Sequence, residues 1–272
     1  MLVSVLAGYF VELLTLFGIV LIHEFGHVAA AKSFGWRIRE VRLLPFGGVA
    51  VTDDEGSAPA HEEIVVALAG PLQNAVMVGF ACAMKAAGVS DAAWWDYFLQ
   101  SNLLIGLFNL LPIQPLDGGK ILRAVLSYLL AYHQTMVIVT ATGMLLGLFI
   151  IALSLSPWHG QGVQLNLMLI GCFLVYANWQ DYRNIPYLHM RFLMSRNERF
   201  LQWMARGTLA QPIVVSGRRK IADVMRMFMR ERYHLIYVLN ERGVIEGVFP
   251  EQRMIEAFFA RKPGSAVSEL LT

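Results

Sequence analysis

The chain is short of charge. Asp, Glu, Lys and Arg together make up 15% of its 272 residues, where soluble globular domains carry about 25%. Too little polar surface remains to keep a body of this size in water, which argues against a wholly soluble enzyme. Cysteine is scarce as well, with only Cys82 and Cys172. Each lies inside an apolar run, with neither a second Cys nor a nearby His at metal spacing. Both are expected to be buried as small hydrophobes, and a disulfide-stapled fold is excluded. The N-terminus lacks the basic region that opens a cleavable signal peptide. Collagen-like periodicity and a disordered composition are absent too.

What the chain has is apolar length. Residues of the AVILMFWYC set account for 56% of it, and the mean hydropathy is +0.52. A bilayer core needs about 20 apolar residues per helix. Leu13–Ala31, Ile64–Ala87, Trp94–Leu111, Met136–Leu155 and Leu165–Trp179 are the expected spans, with Trp94-Trp95 and Trp179 placed as interface anchors. A stub at Leu2–Ala7 makes a sixth if it is the end of another span, in which case the chain's start is truncated. Charge is uneven along the sequence. Residues 1–180 hold 7 Lys+Arg against 11 Asp+Glu, leaving 15 against 9 for residues 181–272, so nets of −4 and +6 make up the overall +2. Positive-inside bias then places Lys32–Arg42, Lys120–Arg123 and the whole tail in the cytosol. The expected fold is an α-helical polytopic membrane protein of five to six spans, with a small cytosolic α/β domain.

Within the first span lies His23-Glu24-Phe25-Gly26-His27. Two His at i and i+4 share one helical face and can reach one metal ion, with the intervening Glu placed to take a proton from water. A carboxylate and two imidazoles at membrane depth cost several kcal/mol unless paired, so they mark a functional site. Catalytic zinc takes three protein ligands. His61, His133, His159, His189 and His234 are expected to be solvated or locally bonded, which leaves a carboxylate as the third ligand. Asp117 fits. It follows Asn109-Leu-Leu-Pro-Ile-Gln-Pro-Leu, where Pro112 and Pro115 stop a helix and Gly118-Gly119 free the backbone. The competing view is that Asp117 belongs to an ordinary turn.

Two other blocks stay open. Leu43–Val51 offers a strand edge or re-entrant loop to pair with a substrate, or else a surface hairpin turning at Gly47-Gly48. Gly70, Pro71 and Asn74 either line a cavity or mark a kink packed against a neighbouring helix. In the tail, Tyr187–Met204 reads as a basic amphipathic stretch, lying on anionic lipid or serving as an interdomain helix. Beyond it come a strand at Gln211–Ser216, a helix at Ile221–Glu231, strands at Leu235–Asn240 and Gly243–Phe249, and a helix at Gln252–Phe259. The divisions are 1–180, a linker at 181–206, and 207–272.

HEFGH within a span, then N-x-x-P-x-x-P-x-D-G-G at the end of a later one, resembles the site-2 protease family of intramembrane zinc metalloproteases. LLPFGG (Leu43 to Gly48), AGPLQN (Ala69 to Asn74) and a tail that looks like a CBS domain resemble the sporulation branch of that family, over most of residues 10–272. The resemblance implies one Zn2+ held by His23, His27 and Asp117, with Glu24 as general base. It sets Asn109 near the substrate backbone as an oxyanion candidate. It further implies a membrane-associated substrate, namely a sporulation sigma factor precursor cleaved on the mother-cell side. Inhibitory membrane proteins, a homo-oligomer formed through the CBS-like domain and ATP binding there are implied as well. Members of this branch begin with one more span, to whose end Leu2–Ala7 corresponds. The tail departs from the CBS pattern: Gly247-Val248-Phe249-Pro250-Glu251-Gln252-Arg253 lacks the hydroxyl and the ribose-binding Asp, so no nucleotide-binding residue is named. The competing reading is a CBS-tailed membrane transporter or a zinc-binding regulator without proteolytic activity. No internal repeat favours transport. The basic tail is ascribed to orientation and lipid contact, with no nucleic acid as partner.

Overall fold

The computed structural model describes residues 10–44, 47–52, 58–89, 92–156, 164–260 and 264–271. The chain divides into two compact units, Met1–Ala124 with Thr142–Asn178, and Val125–Ala141 with Trp179–Thr272.

The first unit contains α1 (Phe10–Ser33), the hairpin β1 (Ile38–Leu44) and β2 (Gly47–Thr52), α2 (Ala60–Ala86) and α3 (Ala92–Asn109). It also takes most of α4 (Asp117–Leu126), the later part of α5 (Tyr132–Ser154) and the first part of α6 (Leu165–Arg206). α1 packs on α2, α2 on α3, and α1 also touches α3 and both strands. Small residues set these approaches. A Cβ on Gly26 would come within 2.6 Å of the Ala69 carbonyl, and one on Gly147 within 2.8 Å of Val175 Cγ2. Close backbone packing of this kind is what drives helix association where lipid removes the hydrophobic force.

Burial in this unit is inverted relative to a soluble protein. Phe25 is 68% exposed, whereas His23 beside it on the helix is 2% exposed. Leu72, Phe80, Leu104, Leu107, Leu145 and Phe149 face outward, while Glu24, His27, Asn74, Asn102 and Asp117 are buried. Such a surface suits hydrocarbon and not water. α1, α2 and α5 are long and apolar enough to cross a membrane. The span expected at Trp94–Leu111 is helical, but Asp96, Gln100, Ser101 and Asn102 lower its hydropathy, and the last two are turned inward. The span expected at Leu165–Trp179 opens α6. Cys82 and Cys172 are exposed, contrary to expectation. Apolar residues on a lipid-facing helix point outward as readily as inward, so their neighbours gave no direction. Leu2–Ala7, Pro45-Phe46 and His159 lie outside the described residues.

The second unit is built on a three-stranded sheet of β3 (Ala210–Ser216), β4 (Tyr233–Leu239) and β5 (Ile245–Pro250), with β3 parallel and β5 antiparallel to β4. α7 (Ile221–Met225), α8 (Glu251–Ala260) and a 3-10 turn at Val267–Leu270 complete it. The β-α-β-β-α order matches the sequence reading, but the first helix ends at Met225 and not at Glu231. Tertiary partners take the backbone beyond it: the Tyr132 N–H donates to the Phe228 carbonyl, and Arg196 to that of Met229. His234, Ile236 and Val238 alternate inward along β4. Their core includes Phe192 and Leu193 of α6 and Tyr132 of α5, with Tyr132 stacked flat on Phe192 at 4.2 Å.

The stretch expected as a basic linker is thus helix, and part of it is core. Arg196 has no exposure. It donates to both Glu251 oxygens at 2.9 and 2.6 Å and to the carbonyls of Met229 and Arg232. Rings of Trp203, Phe192 and Phe228 lie 5.0–5.5 Å from its guanidinium. His234 joins the pair. The Met229 N–H donates to its Nε2, so Nδ1 carries the hydrogen and donates to Glu251 at 3.2 Å. Burial pushes the Glu251 carboxyl up, but the His234 hydrogen bond and the Arg196 charge outweigh it and hold it below its usual value. Burial pushes His234 down, and Glu251 offsets this only in part. His189, expected to be solvated or bonded, is buried against Tyr132 and Phe192, and neither ring nitrogen has a hydrogen-bond partner among the described residues.

Candidate metal centre

His23 and His27 stand one turn apart on α1, 2% and 6% exposed. Each imidazole has its Nδ1 tied back into the protein. His27 Nδ1 is 2.7 Å from the Val66 carbonyl of α2, and His23 Nδ1 is 2.5 Å from Asn74 Oδ1 of the same helix. Both Nε2 atoms therefore face one point, 3.2 Å from each other. Asp117 closes the figure, with its Oδ2 lying 3.2 Å from His23 Nε2 and 3.1 Å from His27 Nε2. Three acceptors this close repel one another unless a cation lies among them. Zinc bonds of 2.0–2.1 Å at tetrahedral angles give edges of about 3.3–3.4 Å, so the donor set fits that ion.

Asp117 is held there by its neighbours. α3 ends at Asn109, and the Leu110–Leu116 loop with its two prolines leads into α4, which Asp117 opens. A Cβ on Gly118 would strike the Leu110 and Leu111 carbonyls, and one on Gly119 would lie 2.5 Å from the Gln114 nitrogen. Only glycine lets α4 fold back so tightly on the loop. Asn178 of α6, fully buried, donates to the Gln114 carbonyl at 2.6 Å, and Gly143 of α5 leaves room for its amide. Lys120 Nζ lies 3.8 Å from the other oxygen of Asp117.

Glu24 is buried beside the histidines, with a carboxylate oxygen within 4.8 Å of their ring nitrogens. Gly70 of α2 backs the centre: a Cβ there would overlap His27 Nε2 and lie 2.7 Å from His23 Nε2. Pro71 is buried within α2 beside it. Asn109 donates to the Ile105 carbonyl on its own helix at 3.0 Å. Gly47 and Gly48 are not the turn of the hairpin; they pair with Leu44 and Leu43 as the first residues of β2.

Sequence reasoning missed Asn102, Asn178 and the Val66 carbonyl. Asn102 and Asn178 could have been found as amides within otherwise apolar helices. A main-chain carbonyl leaves no such signal.

Known proteins resemble this chain along most of its length. The model of Peptidase family M50 matches residues 11–88 and 80–153. Stage IV sporulation protein FB of Bacillus subtilis is 35% identical, over 98% of this chain and 91% of that protein. A zinc metalloprotease of Methanocaldococcus jannaschii is 31% identical, over 85% of this chain and 64% of its own length. The solved site-2 protease from Methanocaldococcus jannaschii superposes with a TM-score of 0.51 at 31% identity, covering 62% of this chain and 76% of that one. This chain is an integral membrane zinc metalloprotease and belongs to Peptidase family M50, the site-2 protease family.

Proposed function

We propose that His23, His27 and Asp117 hold one Zn2+ at membrane depth, and that Glu24 is the general base for peptide hydrolysis near the cytosolic face. The observation that carries this is the buried triangle of Nε2, Nε2 and Oδ2 at 3.1–3.2 Å. When bound, the ion supplies Lewis acidity, bringing water toward a pKa of about 7 and polarising the scissile carbonyl. Glu24 accepts the water proton and passes it to the leaving amine. The Asn109 amide spends one hydrogen on Ile105 and has a second to donate to the developing oxyanion. Gly70, Pro71 and Asn74 wall the cavity behind the ion. A helical substrate must open its own hydrogen bonds before attack, and the β1–β2 hairpin, with Gly47 and Gly48 entering β2, supplies an edge to pair with it.

The proposed substrate is a membrane-associated sporulation sigma factor precursor, supported by the identity with Stage IV sporulation protein FB over nearly the whole chain. Loop charges support five to six spans with the tail in the cytosol, on the mother-cell side. The proposed division is a protease domain at 1–180, a linker at 181–206 and a CBS-like domain at 207–272 that pairs with a second copy, a reading supported by its β-α-β-β-α order. ATP binding there rests on resemblance alone: Pro250 replaces the hydroxyl residue, and Glu251 is committed to Arg196. Calorimetry of the whole protein with millimolar ATP tests it, and no heat removes it. The main test is co-expression with candidate precursors. Wild type should cleave one, and Glu24→Gln should keep stoichiometric zinc and cleave none. A Glu24→Gln protein that still cleaves rejects the assigned base.

A further inference from the structure

The hydrogen on His23 is placed from a distance. The Phe98 carbonyl of α3 can only accept, so Asn102 must turn its Nδ2 toward it, at 2.9 Å. Asn102 Oδ1 is then left to face Asn74, whose Nδ2 donates to it at 3.1 Å. That leaves Asn74 Oδ1 for His23, and an oxygen 2.5 Å from Nδ1 requires the hydrogen on Nδ1. Each amide orientation follows from the one before, with no freedom to flip. Nε2 keeps its lone pair, facing His27 and Asp117.

Asn74 is 2% exposed and Asn102 not at all, so bulk water cannot stand in for either. Gly106, one turn beyond Asn102, makes the approach feasible, since a Cβ there would press to 3.1 Å from Asn74 Cβ. His27 reaches the same tautomer by a different route, directly from the Val66 carbonyl. No side-chain substitution removes that carbonyl, whereas the His23 arrangement depends on two side chains.

We infer that Asn74 and Asn102 are positioning residues of the metal centre, a relay from the Phe98 carbonyl that holds His23 in the Nδ1–H form with Nε2 free for the ion. This rests on the zinc reading given above. The relay spans α3, α2 and α1, so two helices that bear no metal ligand fix the chemistry of one that does. Partners of this kind are worth roughly 10- to 100-fold in metal affinity.

The test uses the whole protein in detergent, with zinc content, the rate of zinc loss to excess chelator and the visible spectrum after Co2+ substitution as readouts. Asn74→Leu and Asn102→Leu should each weaken zinc binding by about 10- to 100-fold and alter the Co2+ bands. Asn74→Asp, which keeps an oxygen for the Nδ1 hydrogen, should recover most of the affinity. Should the Leu variants not fold, Asn74→Ala and Asn102→Ala take their place with the same expected loss of zinc affinity, and zinc release no faster than wild type from either folded protein overturns the relay. Leu variants that release zinc no faster than wild type also overturn it. Wild-type protein that takes up no zinc overturns the zinc reading and this inference together, whereas normal wild-type zinc with unaffected variants overturns the relay alone.

Discussion

Gly70 lies so close to His27 that no side chain fits between them, because its missing Cβ would overlap the ring nitrogen that faces the ion site. This glycine on α2 therefore backs the candidate metal centre. Gly70→Ala puts a methyl group where the ligand atoms converge. It should lose stoichiometric zinc and all cleavage while keeping its helices, as read by metal analysis and circular dichroism. Gly79→Ala on the same helix, where nothing lies within 4 Å of the added Cβ, should retain both.

Asn178 governs the loop before Asp117. Asn178→Leu leaves the buried Gln114 carbonyl without its donor, a cost of about 1–3 kcal/mol. The loop should shift and zinc should bind more weakly, with activity restored at high zinc concentration. A chelator titration against wild type checks this.

The Arg196–Glu251 pair should dominate the stability of the second unit. Arg196→Met takes the guanidinium from a buried carboxylate and leaves it only the His234 donors, at about 3–5 kcal/mol. Arg196→Met with Glu251→Leu removes both charges and should recover much of that loss. Limited proteolysis of the tail against temperature separates the three proteins.

Acid should loosen the same unit first. Burial, with His133 and Arg226 nearby, pushes His189 down from 6.5 to about 4. Between those values the unfolded chain takes up a proton that the folded unit refuses, so stability falls as pH drops from 6.5 toward 4, by about 3 kcal/mol. His234 has the same sign, and Glu251, held low, adds its own loss below about pH 4.5. His189→Phe should flatten the first part of this dependence in thermal melts of the whole protein at pH 7 and pH 5.

The residues that converge at the candidate metal centre stood out in the sequence because their chemistry is out of place there. HEFGH in an apolar run, and Asp117 after a proline-broken helix end, stand out against lipid-compatible surroundings. Contacts that act through common residues were not. Asn102 reads as one polar residue among several in α3, and its value lies in what it faces. Nothing in the basic stretch Tyr187–Met204 singles out Arg196, yet the tail core closes over it. The early end of α7 follows from main-chain bonds to Tyr132 and Arg196, partners distant in sequence. Helix identities and strand order came from local patterning, which is why they survived where burial did not.

Asp117 follows His23 by 94 residues and reaches it only once α4 has folded back on its loop. During synthesis the histidine pair is made long before its carboxylate, so the nascent chain passes through a stage with an incomplete ligand set. Hydrolysis that depends on the proposed ligand set therefore waits until Asp117 has been made, after α1, α2 and α3.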